Sequence, residues 1–258
     1  MDAGLHCEIH DGIATLTLRN PAKRNAMTPA MWRELPELLD GLGADPAVRA
    51  LVLTGHGGTF CAGADIGSLG DAGGPRELAA RAEEALAAFP RPTLAAVRGA
   101  CVGGGCQLAV ACDLRFAEQD AVFGVTPARL GIAYPPGATR RLVGLVGPAA
   151  AKYLLFSAEL IDAGRALRTG LVDEVLPSGG LERRVAEFTA VLRSRSALTQ
   201  QAAKEFAGGL PDGEQAAVRM AWWRGQEETA GEAREGIAAF LDRREPRFSW
   251  SPPAGPAA

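Results

Sequence analysis

Apolar and polar residues alternate over Ile13-Ala14-Thr15-Leu16-Thr17-Leu18, and this period of two predicts a half-buried strand. The turn signal Asp11-Gly12 just before it predicts a hairpin with the preceding residues, which places His6 and His10 on an extended N-terminal strand. After Thr28-Pro29 the period lengthens. Met31, Leu35, Leu38, Leu39 and Leu42 then share one helical face, and Pro36 inside that pattern is expected to kink the helix. A short buried strand is predicted over 48–53, a helix over 76–89 and a strand over 93–98. Gly103-Gly104-Gly105 opens another helix that runs through Cys112, and strand patterns follow at 114–116 and 121–123. Repetition of strand, glycine loop and helix predicts an α/β fold with helices covering a sheet. From Leu181 onward the pattern is helical throughout, over 181–193, 197–207, 213–230 and 232–243, with a break at 208–213. The expected organisation is a core over 1–194, a helical region over 195–258 and a frayed tail at 251–258.

Charge and composition remove several classes of partner. The 258 residues include 27 basic and 30 acidic side chains with no block of like charge, so nucleic acid is not an expected partner. The longest apolar runs, 94–97 and 108–112, fall far short of the roughly 20 residues a membrane span requires, and no membrane segment is expected. Met1-Asp2-Ala3-Gly4 has neither the basic nor the apolar region of a secretory signal, which predicts a cytoplasmic protein. Cys7, Cys61, Cys101, Cys106 and Cys112 form no C-x-x-C pair and read as small buried thiols rather than a disulfide framework. His6 and His10 have no third ligand nearby, so no metal site is predicted.

Two glycine loops carry the candidate chemistry. Gly57-Gly58-Thr59-Phe60-Cys61-Ala62-Gly63-Ala64-Asp65-Ile66 follows a buried strand, and Gly99-Ala100-Cys101-Val102-Gly103-Gly104-Gly105-Cys106-Gln107 joins a strand to a helix. Glycine lets backbone approach a ligand, and a helix N-terminus offers unpaired N–H groups to negative charge. Phosphate-loop patterns fail here. Gly105 stands where a P-loop requires Lys, and G-x-G-x-x-G begun at Gly103 ends on Leu108. On spacing alone, the loops fit either tight strand-to-helix packing or a site for an anion or oxyanion.

Phe60-Cys61-Ala62-Gly63-Ala64-Asp65-Ile66 and Gly103-Gly104-Gly105-Cys106 resemble the two signature segments of the crotonase (enoyl-CoA hydratase/isomerase) superfamily. The resemblance extends to Asn20-Pro21, Asn25-Ala26-Met27, Gly164 to Val175 and Gly236 to Leu241. It implies a spiral of ββα units with a C-terminal helical trimerisation region, as a homotrimer or dimer of trimers. It also implies an acyl-CoA substrate, with coenzyme A present as part of that substrate and no separate cofactor. The backbone N–H groups of Ala64 and Gly104 would hold the thioester oxygen, a role worth roughly 3–4 kcal/mol per donor. Ala26, Ala62, Asp65 and Ile66 match positions around coenzyme A, Lys23 and Arg24 lie where its phosphates pass, and Arg243 matches a further basic position.

The chain departs from the family at the two glutamates used in enoyl-CoA hydration. Gln107 and Pro127 stand in their places, and neither transfers a proton at neutral pH. The segment Phe123 to Tyr134 is similar instead to the methylmalonyl-CoA decarboxylase branch, with its Thr126-Pro127-Ala128 stretch and Tyr134, although that branch keeps an acid where Gln107 stands. Loss of CO₂ makes the enolate without a base, and Gln107 and Tyr134 would orient a substrate carboxylate without charge. Tyr134 equally fits a buried tyrosine with a hydrogen-bonded hydroxyl. Asp71, His56 and Glu118 are weaker candidates for a substitute acid or base, while Asp113 and Asp162 read as braces or caps and Trp222 and Trp223 as core or interface. Two alternatives stand beside decarboxylation: hydration or isomerisation with a different acid, and acyl-CoA binding without turnover.

Overall fold

The computed structural model describes residues 2–65, 67, 74–209 and 213–252. The first two strands, β1 (Gly4–His10) and β2 (Ile13–Arg19), form the expected antiparallel hairpin. Its turn residues Asp11 and Gly12 have φ of 50° and 76°, the left-handed pair that matches the twist of a two-residue hairpin. Ala14, Leu16 and Leu18 of β2 are buried while their neighbours are half-buried, as the period of two requires.

Helix α1 (Pro29–Ala44) starts where Thr28 accepts a hydrogen bond from the Met31 amide, and it buries Met31, Trp32, Leu35, Leu39 and Leu42. It continues through Pro36 as one helix. Strand β3 (Ala50–Gly55), helix α2 (Gly74–Ala87) and strand β4 (Thr93–Val97) follow, close to their predicted bounds. The chain then crosses to a second sheet with β5 (Ala100–Val102), enters α3 (Gly104–Ala111), and repeats the path with β6 (Leu114–Glu118) and β7 (Val122–Gly124).

Residues 136–180 hold elements that the hydrophobic pattern alone does not reveal. Helix α4 (Pro136–Ser157) breaks at Gly147, whose φ of 74° and ψ of 165° suit a glycine ahead of Pro148. Strand β8 (Ile161–Asp162), helix α5 (Ala163–Thr169) and strand β9 (Glu174–Leu176) complete the core. Six strands pair in the order β1-β2-β3-β4-β6-β9, and β5-β7-β8 form the second sheet. The pairs β4-β5 and β6-β7 each cross from the first sheet to the second and then lead on to a helix, the expected α/β spiral of ββα units. Helices α6 (Leu181–Ser194), α7 (Ala197–Ala207), α8 (Glu214–Ala230) and α9 (Glu232–Asp242) close the chain.

Cys61, Cys101, Cys106 and Cys112 are buried and Cys7 is half-buried, all as free thiols. Asp162 caps α5 through the Arg165 amide, and Asp113 braces Thr93 and Lys204, so both have structural roles. Trp223 is buried against Trp222 and Trp250. Among the described residues no helix is long and apolar enough to cross a membrane. Most of the tail at 251–258 and the centre of the 208–213 break lie outside the described residues.

Candidate active site

Backbone hydrogen bonds draw three separated segments into one place. Asn25, at φ 57°, donates its side-chain amide to the carbonyls of His56 and Thr59 and accepts from the Asn20 amide. Asn20 donates in turn to the Ala26 carbonyl. Arg24 accepts from the Ala62 amide, and Met27 pairs with Ala64 through Met27 N to Gly63 O and Asp65 N to Met27 O. The third segment joins through Cys61, whose amide donates to Ala100 and whose carbonyl accepts from Val102. This lacing places the loop after β3 against the N-terminus of α3.

The closeness of that contact depends on missing side chains. A Cβ on Gly105 would stand 2.3 Å from the Cys61 carbonyl oxygen, nearer than any side chain tolerates. Gly103 adopts φ 56° and ψ −120°, a conformation left to glycine. A Cβ on Gly104 would lie 3.4 Å from the Ala64 nitrogen and 3.0 Å from Trp32 Cζ2. Among the described residues, neither the Ala64 N–H nor the Gly104 N–H donates to a protein acceptor. Gly104 is the first residue of α3, so its N–H is one that no helical carbonyl can satisfy.

Gln107 lies one turn along α3 and is almost fully buried. Its Nε2 donates to Glu83 Oε2 at 2.6 Å, and Arg141 Nη1 donates to Glu83 Oε1 at 2.7 Å. Glu83 is buried to 1% exposure on α2. Burial pushes its carboxyl above the usual range, against the opposing pull of Gln107 and Arg141. The sequence does carry a signal for this residue: the helical period places Glu83 beside Ala82 and one turn before Leu86, a charge within the apolar stripe. Tyr134 stands near Glu83, Cys106 and Cys101, and burial drives its hydroxyl well above the normal range. Among the described residues the hydroxyl is sealed from solvent and has no hydrogen-bond partner, so the hydrogen bond expected of a buried tyrosine is not found there.

The remaining sequence candidates divide. Lys23 Nζ pairs with both carboxylate oxygens of Asp65, at 2.8 and 2.7 Å, and this hydrogen-bonded ion pair holds the Asp65 carboxyl below its usual value. Arg24 is exposed at φ 49°, Ala62 is half-buried and Ala26 is buried in the same lacing. Arg243 ends α9 at φ 55°, with an exposed side chain that makes no hydrogen bond or ion pair among the described residues. Glu118 pairs with Arg98 and accepts from the Gly179 amide, a bracing role, and His56 is exposed. Ile66 and Asp71 lie outside the described residues.

Comparison with known proteins places these features in a family. Residues 8–251 match the family model described as enoyl-CoA hydratase/isomerase. The crotonyl-CoA hydratase of Syntrophomonas wolfei is 34% identical over 93% of this chain and 96% of its own. The 2,3-dehydroadipyl-CoA hydratase of Escherichia coli is 32% identical over 92% of this chain and 94% of its own. A crystal structure of an enoyl-CoA hydratase/isomerase family member superposes with a TM-score of 0.91 at 40% identity, covering 98% of this chain and 99% of that one. The chain belongs to the enoyl-CoA hydratase/isomerase family of the crotonase superfamily.

Proposed function

We propose that the protein binds an acyl-CoA with its thioester oxygen between the Ala64 and Gly104 N–H groups and reacts through the thioester enolate. One observation carries this reading: two unspent backbone donors sit side by side, one of them at a helix N-terminus. Such donors are fixed before charge develops, so they stabilise the enolate oxygen more than the neutral carbonyl. Lys23, Arg24, Ala26, Ala62, Asp65, Ile66 and Arg243 are assigned to coenzyme A. Asp65 must then share Lys23 with a CoA phosphate, since it holds that cation in the free protein.

Addition of water to an enoyl-CoA is the reaction the site favours, with hydroxyl delivered to Cβ and a proton to Cα. Support comes from Glu83, a carboxylate in direct contact with Gln107, and from the hydratase names of the relatives. Decarboxylation is the second reading, supported by Gln107 and Pro127 standing in place of both glutamates. Glu83 and Glu84, both already paired with the Arg141 guanidinium, disfavour it, because a substrate carboxylate beside them adds like charge. Mass-spectrometric turnover of crotonyl-CoA, a 3-enoyl-CoA, malonyl-CoA and methylmalonyl-CoA, with acetyl-CoA binding as control, separates these readings. Hydration of crotonyl-CoA is expected. Loss of CO₂ from a malonyl thioester with inert crotonyl-CoA would replace the first reading with the second, and binding without turnover would refute both.

Helix α9 presents Ile237, Phe240 and Leu241 at 63%, 83% and 73% exposure, an apolar group that supports assembly into a homotrimer or a dimer of trimers. Sedimentation equilibrium tests this, and a monomer at micromolar concentration would contradict it.

A further inference from the structure

Resting on the acyl-CoA reading above, we infer that Glu83 is a positioning residue that fixes which end of the Gln107 amide faces the acyl group. The site thereby selects acyl chains bearing a hydroxyl over those ending in a carboxylate.

Three observations lead there. Side chains on a helix lean toward its N-terminus and meet neighbours three or four residues away, so Gln107 leans toward Gly103 and Gly104, where the thioester is assigned. Glu83 leaves no choice of amide orientation. Its Oε1 is held by the Arg141 guanidinium, and its Oε2 takes the Gln107 Nε2 hydrogen at 2.6 Å, a separation at which a second oxygen would be repelled. Gln107 Oε1 is therefore the free end. It accepts no hydrogen bond among the described residues, and it is not among the sealed unpartnered atoms, so a small part of its surface stays accessible although the side chain as a whole is buried.

An open acceptor backed by a buried carboxylate welcomes a donor and rejects an anion. A hydroxyl at the β-position of an acyl chain supplies that donor, as does a water molecule beside an enoyl chain. A carboxylate in the same place would face the Oε1 lone pairs with Glu83 and Glu84 behind them and Arg141 already engaged by both. Tyr134 does not offset this, since its hydroxyl is sealed from solvent.

Titration calorimetry with butyryl-CoA, 3-hydroxybutyryl-CoA and malonyl-CoA tests the inference. The wild-type protein should bind 3-hydroxybutyryl-CoA at least about tenfold more tightly than malonyl-CoA, the ratio expected for one hydrogen bond gained against one like-charge contact. Glu83→Gln is isosteric and inverts the device: its carbonyl stays with Arg141, its amide hydrogens face Gln107, and Gln107 must turn to present Nε2. The preference should then fall by at least about tenfold when each affinity is read relative to butyryl-CoA binding by the same variant, which a merely structural role would not produce. Glu83→Leu removes the charge but supplies no donor, so it should weaken the preference without reversing it. With Gln107→Leu already present, Glu83→Gln should have no further effect on the ratio. Equal or tighter malonyl-CoA binding by the wild type, or an unchanged ratio in Glu83→Gln, would overturn the inference. Failure of the wild type to bind butyryl-CoA would instead remove the acyl-CoA reading and this inference with it.

Discussion

The α-carbon of Gly105 is packed against the Cys61 carbonyl so tightly that a Cβ there would come within 2.3 Å of the oxygen and 2.8 Å of Cys61 Cβ. This contact sets how near the N-terminus of α3 comes to the loop carrying Ala64. The obstructing atoms include backbone in a fully buried strand-like segment, so they cannot step aside as the end of a long side chain could. Gly105→Ala should destabilise the fold by about 2–3 kcal/mol in urea unfolding, the scale of overpacking in a close-packed core. An unfolding midpoint equal to wild type would show that the two loops are held apart by more than the structure indicates.

Asn25 is the knot of the lacing, with three hydrogen bonds from its side chain and a left-handed backbone. Asn25→Ala leaves two carbonyls and one amide without their partner and removes the side-chain amide that makes φ 57° tolerable for asparagine, so alanine is strained there. A loss of about 3 kcal/mol is expected, together with weaker acyl-CoA binding if Lys23 and Arg24 of the 20–27 segment hold coenzyme A as proposed. Asn25→Gly relieves the strain but not the lost bonds, so chemical denaturation should place it between alanine and wild type.

Much of this arrangement is legible in the residues themselves. The period of two at 13–18, the Asp11-Gly12 turn and the apolar face of α1 report local rules that tertiary context does not override. The glycine loops are legible for the same reason, since backbone contact as close as that of Gly105 excludes every side chain. Helix α4 is obscured by its own composition: Gly147-Pro148 reads as a stop, yet the chain resumes its helix because proline suits a first helical turn. Strands β8 and β9 span too few residues to show a period. Glu83 is legible only in part: the apolar stripe of its helix signals a buried charge, but not its role. Its significance arises from contacts with Gln107 and Arg141, 24 and 58 residues away, which spacing along one helix does not encode.

Thiol reactivity should divide along burial. Burial pushes the thiols of Cys61 and Cys112 up to about 12, and Cys101 rises well above its usual value for the same reason. Iodoacetamide at pH 8 should therefore modify Cys7 at most in the native protein and every cysteine in urea, as read by intact mass. Rapid native labelling of Cys61 or Cys101 would mean that the segment beside Ala64 opens on the labelling timescale.

Acid stability should depend on Glu235. Its carboxylate accepts two hydrogen bonds from Arg244 and one from the Arg247 amide, and these hold its pKa down to about 2. A carboxyl whose folded value lies below its unfolded value of 4.5 contributes stability above that unfolded value and loses it as pH falls toward about 2. Glu235→Gln should lower Tm at pH 7 and converge with wild type near pH 2. A constant Tm difference across that range would contradict the linkage.

The central claim, that two backbone N–H groups grip a thioester oxygen, is most directly tested by infrared difference spectroscopy of butyryl-CoA labelled with ¹³C at the thioester carbonyl. The bound carbonyl should shift to lower frequency than in water, because Ala64 and Gly104 polarise it with donors already fixed in place. Gly104→Pro, which removes one N–H, should lose most of that shift in protein that still binds coenzyme A. A carbonyl at its solution frequency in the wild type, or a full shift retained in Gly104→Pro, would contradict the account.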